Sequence, residues 1–251
     1  MVDDAAVDSQ DAIAHAAANG RLDLVQWYCD MKDRVLGNRC TRRGLEKAAL
    51  HGHLKVVQWL NNSRYYEIKT FRTLENAIAG GHLHVVQYVM ETVVVAYTSW
   101  MQAALAAAVM YGQCQILQWL HDRASVEAAV FDRRFRFEIH TYQLYTVARE
   151  GYLGVLQWLH ANNYSVHCRR AHVVRGAATG GHKAIIEWME NTFESLSHQR
   201  HRIRVDGAAS LGDLQFIIRF GFEAVSGEAR EHNHFELLRW LETLPEAGRY
   251  C

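Results

Sequence analysis

Proline is almost absent from this 251-residue chain; Pro245 is the only one. Each interior proline would remove a helical hydrogen bond, so its scarcity, together with plentiful Ala, makes helix the expected backbone state. Cysteines are few (Cys29, Cys40, Cys114, Cys168 and Cys251), odd in number and irregular in spacing. That usage fits reduced thiols in the cytoplasm or nucleus better than a disulfide framework. No apolar run approaches the length of a membrane span, and the longest, Val93 to Tyr97, is far too short. The opening residues are acidic and Ala-rich, without the hydrophobic centre of a secretory signal. Formal net charge is zero, from 27 basic and 27 acidic residues, which argues against a chain that grips nucleic acid over its whole surface. Catalytic signatures are missing as well: there is no P-loop, no Gly-x-Ser-x-Gly, no Gly-x-Gly-x-x-Gly and no His-Glu-x-x-His. No nucleophile and base are singled out, so neither an enzymatic activity nor a cofactor is expected. Hydrophobic residues make up 49% of the chain, enough for a packed core. No Pro-, Gly- or Ser-rich stretch marks a linker, and residues 1–251 read as a single domain.

What the sequence does hold is a recurring phrase: glycine, any residue, Leu, any residue, two aliphatics, Gln, Trp, Leu. Copies begin at Gly20, Gly52, Gly81, Gly112, Gly151 and Gly181, with looser ones at Gly212 and Asn233. On a helical wheel of about 100° per residue, the third, fifth, sixth, eighth and ninth places spread over roughly 220°. So wide an apolar arc suits a helix pressed between neighbours on two sides, with the fourth and seventh places left polar. An Ala-rich segment precedes each glycine, as at His15 to Ala18, Lys47 to Leu50 and Ala106 to Val109, and its small side chains let two backbones approach closely. Each unit thus reads helix, glycine turn, helix, with the glycine in a left-handed conformation where the first helix ends. Ser99 to Gln102 has capping-box spacing and is expected to begin one of the first helices.

Successive glycines from Gly20 to Gly212 lie 32, 29, 31, 39, 30 and 31 residues apart, near the ~33-residue ankyrin period. Ala-Ala followed by Gly-His-Leu, Val-Val and two further apolar residues resembles the core of an ankyrin repeat, over about residues 10 to 243. The Thr-Pro-Leu-His opening and the Asp/Gly-rich hairpin loop are absent, and Trp stands where ankyrin repeats carry Leu. The resemblance is therefore to a divergent, Trp-bearing branch, and it extends to the helix pair rather than to the β-hairpin fingers. It implies an all-α fold, a helical-hairpin solenoid of about eight ankyrin-like repeats, the last degenerate near 233–244. Stacks of this kind usually bind partners rather than perform chemistry.

The eighth place of the phrase holds Trp27, Trp59, Tyr88, Trp119, Trp158, Trp188 and Trp240. Such rings can form a row of ligand platforms, but an aromatic inside a repeated core phrase is ordinarily packing. They are read as structural, each closing the edge between adjacent second helices and burying up to ~250 Å². Trp100, at the start of a first helix, stands outside that pattern as a candidate exposed ring.

Segments 31–43, 61–73, 160–175 and 192–204 hold 14 of the 27 basic residues but 3 of the 27 acidic ones. Along one edge of an ankyrin-like stack their charges would add into a stripe. Such a stripe attracts an acidic or phosphorylated segment of another protein or, less favoured, nucleic acid. The same cations also suit the plainer task of solvating loops and neutralising helix carbonyl ends. The candidate contacts are Arg42, Arg43, Arg72, Arg169, Arg170, Arg200 and Arg202. The longest interval adds Arg133, Arg134 and Arg136 within Phe131 to Phe137, where aromatic and Arg residues alternate. That alternation suits a contact surface, and equally a short strand with one buried Phe face.

Fifteen histidines include the pairs His51/His53, His82/His84 and His232/His234, yet no nearby Cys pair or acidic ligand completes a zinc pattern. His53, His82 and His182 follow the repeat glycine and read as structural turn residues, so no metal is expected. The expectation is a monomeric protein-interaction module of the cytoplasm or nucleus, without a membrane role.

Overall fold

The computed structural model describes residues 12–32, 39–62, 71–92, 97–130, 137–164, 166, 170–200, 227 and 229–242, and among these all regular structure is helical. The all-α class expected from the sequence therefore holds. In chain order the helices are α1 (12–18), α2 (Leu22–Lys32), α3 (Arg39–Leu50), α4 (Leu54–Asn62), α5 (Phe71–Ala79), α6 (Leu83–Thr92) and α7 (Tyr97–Met110). They continue as α8 (Cys114–Val130), α9 (Thr141–Arg149), α10 (Leu153–Ala161), α11 (Arg170–Gly180), α12 (Lys183–Arg200), α13 (229–231) and α14 (Phe235–Glu242). None of the described helices is long and apolar enough to cross a membrane.

The chain divides into two compact units, Met1–Phe137 and Glu138–Cys251, where the absence of a linker composition suggests one domain. The boundary falls inside the 39-residue glycine interval, the longest of the series. Part of the added length there is helix, since α8 runs on to Val130. Residues 137–140 lie outside any helix, with His140 extended, Phe137 and Ile139 buried and Glu138 and His140 exposed. That is the period-two burial of a strand-like segment.

In the first unit, α3 packs against α4 and α5, α5 against α6 and α7, and α7 against α8, while the second helices α2, α4, α6 and α8 touch in that order. In the second unit, α9 packs against α10 and α11, and α11 against α12. The sequence spacing explains the pattern. The second helices α4, α6, α8, α10 and α12 bury the fifth, sixth and ninth places of the phrase: Val56, Val57 and Leu60 in α4, Val85, Val86 and Val89 in α6, Val155, Leu156 and Leu159 in α10. Each first helix buries small and branched residues at helical spacing, such as Leu45, Ala48 and Ala49, or Leu144, Val147 and Ala148. Burying one such aliphatic side chain stabilises by about 1.5–3 kcal/mol. Small residues bring first helices close: a Cβ on Gly44 of α3 would lie 3.2 Å from the Ile13 side chain of α1.

Two starts of first helices differ in detail. Tyr97 begins α7, two residues ahead of the expected cap at Ser99. A capping pattern marks a start only where the preceding chain is not helical, and Tyr97 and Thr98 carry nothing that prevents helix. At α9, the buried Gln143 side chain folds back and accepts the His140 backbone N–H at 2.8 Å. That contact satisfies one of the orphan donors of the helix end.

Candidate interaction surface and the seam between hairpins

Every described hairpin turn has the same backbone. Gly52 has φ 78°, a left-handed conformation that a side chain disfavours, and the other five repeat glycines of the described turns lie between φ 69° and 81°. Asn233 takes the glycine's place in the last turn with φ 58°, since Asn tolerates that region better than most residues. Around Gly52 the turn closes by two backbone bonds, Gly52 N–H to the Ala49 carbonyl at 3.3 Å and His53 N–H to the Ala48 carbonyl at 2.9 Å. This is the Schellman arrangement. Equivalent pairs close the turns at Gly20, Gly81, Gly112, Gly151, Gly181 and Asn233.

Those bonds leave the next carbonyl of the first helix without a partner inside the hairpin, and the following hairpin supplies one. The second place of the phrase reaches back to it. His53 Nε2 lies 2.8 Å from the Ala18 carbonyl, and His82 Nε2 lies 3.1 Å from that of Leu50. Gln113 Nε2 donates to the Ala79 carbonyl at 3.4 Å. In the second unit, His182 Nε2 stands 2.9 Å from the Arg149 carbonyl and His234 Nε2 2.8 Å from that of Thr179. A carbonyl can only accept, so in each case Nε2 carries the proton. The ring edge also fills the space above the earlier glycine: a Cβ on Gly52 would lie 2.5 Å from His82 Nδ1. A Cβ on Gly80 would collide with the Leu50 carbonyl itself.

The turn histidines read from the sequence are thus seam residues between hairpins. Gln113 and His234 belong to the same column and were not singled out by sequence. The His234 ring lies on Gly181, so the hairpin at Asn233 packs on the Gly181 hairpin. Only 21 residues separate Gly212 from Asn233, too few for a unit of this period. The Gly212 phrase itself lies outside the described residues.

The aromatic column is less buried than a pure core reading implies. Trp59, Tyr88, Trp119, Trp158 and Trp188 are half-buried, and Trp27 is 55% exposed. The core is closed by the fifth, sixth and ninth places instead. Two rings do lie at the edge between successive second helices, each against the tenth residue of the preceding hairpin. Asn61 Nδ2 donates to Tyr88 Oη at 2.9 Å, and the His160 ring meets Trp188 edge-on at 5.9 Å. Arg123 lies over Trp119 at 5.6 Å. Trp100, half-buried rather than fully exposed, packs edge-on against Phe71 of α5 at 5.8 Å. The Trp240 side chain is outside the described set.

Of the candidate arginines, the first unit holds Arg42, Arg43 and Arg72 on neighbouring helices. Arg42 and Arg43 lie near the start of α3, Arg72 near the start of α5, and all are exposed on helices that pack side by side. Arg43 and Arg72 hold the same place relative to the repeat glycine. Arg42 donates to Glu46 at 3.2 Å, one turn on. Neither α3 nor α5 has an acidic residue in its first turn. Acidic residues are favoured there by the helix dipole, and an exposed charge near a helix end is worth about 0.3–1 kcal/mol. Arg170 opens α11 in the second unit, again without a first-turn acid. Arg133, Arg134, Arg136, Arg169 and Arg202, and the side chain of Arg200, lie outside the described residues.

Titration follows burial. His82 is held below the usual histidine range, first by burial and then by the like charges of His84, His53 and His51, against the Leu50 carbonyl, which favours the charged ring. Burial pushes the Cys114 thiol up, leaving it in the poorly nucleophilic thiol form. Among the described residues, no group of three or more His, Cys, Asp or Glu is placed to hold a metal ion. No protein-family model matches this chain, and no curated protein matches it.

Proposed function

We propose that this chain is a non-catalytic protein-interaction module of ankyrin-like helical repeats. In this reading it takes an acidic or phosphorylated segment of a partner protein along the margin where the first helices begin. The supporting observation is the cationic start of two adjacent packed helices, with Arg42 and Arg72 in the first turns, where the dipole favours acid, and Arg43 next to Arg42. Placing cations there works against local stability, and such departures from a local rule are where function is sought first. Electrostatics of this kind chiefly raises the association rate and fixes register.

The test is cross-linking and pull-down with the intact chain, followed by affinity measurements on Arg43→Glu/Arg72→Glu. Acid at these helix starts suits the dipole, so the double variant stays folded. A loss of partner affinity of about tenfold or more, roughly 1.4 kcal/mol, is expected. Unchanged affinity would refute the basic margin. Titration with duplex DNA and RNA at two salt concentrations separates the nucleic-acid alternative, for which several phosphate contacts impose a steep loss of affinity with salt.

A further inference from the structure

We propose that the imidazole seam joining the first three hairpins is a pH-responsive joint: neutral rings hold the hairpins together, and protonation loosens them at His82. The geometry has three parts. His82 spans two hairpins, its Nε2–H donating to the Leu50 carbonyl at 3.1 Å while its opposite edge lies on Gly52. His84, two residues on, repeats the reach with Nε2 2.9 Å from the Gly52 carbonyl, and the two rings lie 6.0 Å apart. His53 makes the preceding step of the seam, and His51 occupies the turn beside it.

Protonation leaves the Nε2–H bond in place and adds a second N–H at Nδ1. For His82 that nitrogen faces the Gly52 backbone, and no hydrogen bond of Nδ1 is found among the described residues. That added donor gains no partner among the described residues to offset the solvation the ring has lost. The carbonyl end of α3 favours the charged ring, through the helix dipole. Burial weighs most against the charged ring, and the charges acting on His82, those of His84 from α6 and of His53 and His51 from the turn after α3, add to it, all of one sign and none a carboxylate. Other charged side chains of the adjoining helices, Lys47 and Glu46 on α3, Lys55 on α4 and Glu75 on α5, are not among them. Because the folded ring binds its proton less tightly than the unfolded one, the stability it contributes is full above about pH 6.5 and is lost as the pH falls below that value. The same joint couples α3 to α5, whose opening turns carry Arg43 and Arg72, so acid would uncouple the two halves of that margin.

The chain itself supplies the control. Gln113 fills the same column with a donor that does not titrate, so His82→Gln keeps a bond to the Leu50 carbonyl and removes the charge. Two measurements on the intact protein test the joint: an NMR titration of the His82 ring in the unsubstituted chain, and urea midpoints at pH 7.5 and 5.5 for that chain and for His82→Gln. The joint requires His82 to titrate below 6.5 and the midpoint drop on acidification to shrink in His82→Gln. A ring titrating at or above that value, or identical pH dependence in both proteins, overturns the proposal. The NMR result decides alone if the variant does not fold.

Discussion

The two units use one backbone device in different chemical settings. Both end each first helix with a left-handed residue and pass the leftover carbonyl to the next hairpin, through His53, His82 and Gln113 in the first unit and His182 and His234 in the second. In the first unit the turns are crowded with imidazoles at His51, His53, His82 and His84. In the second, Arg149 and Glu150 pair at 2.7 Å beside the step that His182 makes. The backbone geometry follows from the glycine and the Ala-rich helix end, whereas the charge response is set by one or two residues beside the turn. Repetition therefore fixes the joint without fixing what the joint senses.

If that comparison is right, glycine substitutions should be costly and alike in both units. Gly52→Ala and Gly151→Ala each force a side chain into positive φ and against the His82 or His182 ring. Each should lower stability by about 2 kcal/mol or more, combining ~1–2 for the left-handed backbone with overpacking. Denaturant midpoints on the two variants check this, and a large cost in one unit alone would break the parallel. The ring clash adds a sharper form: in a His82→Ala background Gly52→Ala should cost less than in the parent, by more than the ~0.3–0.5 kcal/mol within which independent sites add.

Removing the donor comes next in size. His82→Ala and His182→Ala each leave a carbonyl at a helix end short of its partner, at about 1–3 kcal/mol where that carbonyl stays dry. Thermal unfolding should show both losses. A smaller effect belongs to the second-helix edge. Tyr88→Phe removes the acceptor for Asn61 and should cost about 0.5–1.5 kcal/mol by the same measurement. Smallest is Arg42→Ala. Its pair with Glu46 is exposed, so a change beyond about 0.5 kcal/mol would mean that Arg42 has a structural task as well.

Much of the fold was legible in the sequence because the period and the glycine turn are local signals. The phrase placed the helix pair and the left-handed turn, and of its five apolar places the fifth, sixth and ninth are buried in α4, α6, α8, α10 and α12. What it missed depends on neighbours. Periodicity put the Trp column at the edge between adjacent second helices, and how far an eighth-place ring is covered there depends on the preceding hairpin; Trp27 is 55% exposed. In that first phrase the fifth-place Leu24 is also 36% exposed, against 1% for Val56. The basic margin was legible only in part. Arg43 and Arg72 share a register place that the repeat predicts, while a sum of charges over loops says nothing about which side chains meet.

The most direct measurement of the seam is the tautomer and hydrogen-bond partner of the His82 ring at neutral pH, read by nitrogen NMR on the intact chain. The account predicts a proton on Nε2 and a coupling across the hydrogen bond to the Leu50 carbonyl. A proton on Nδ1, or a ring with no coupling to that carbonyl, would contradict it.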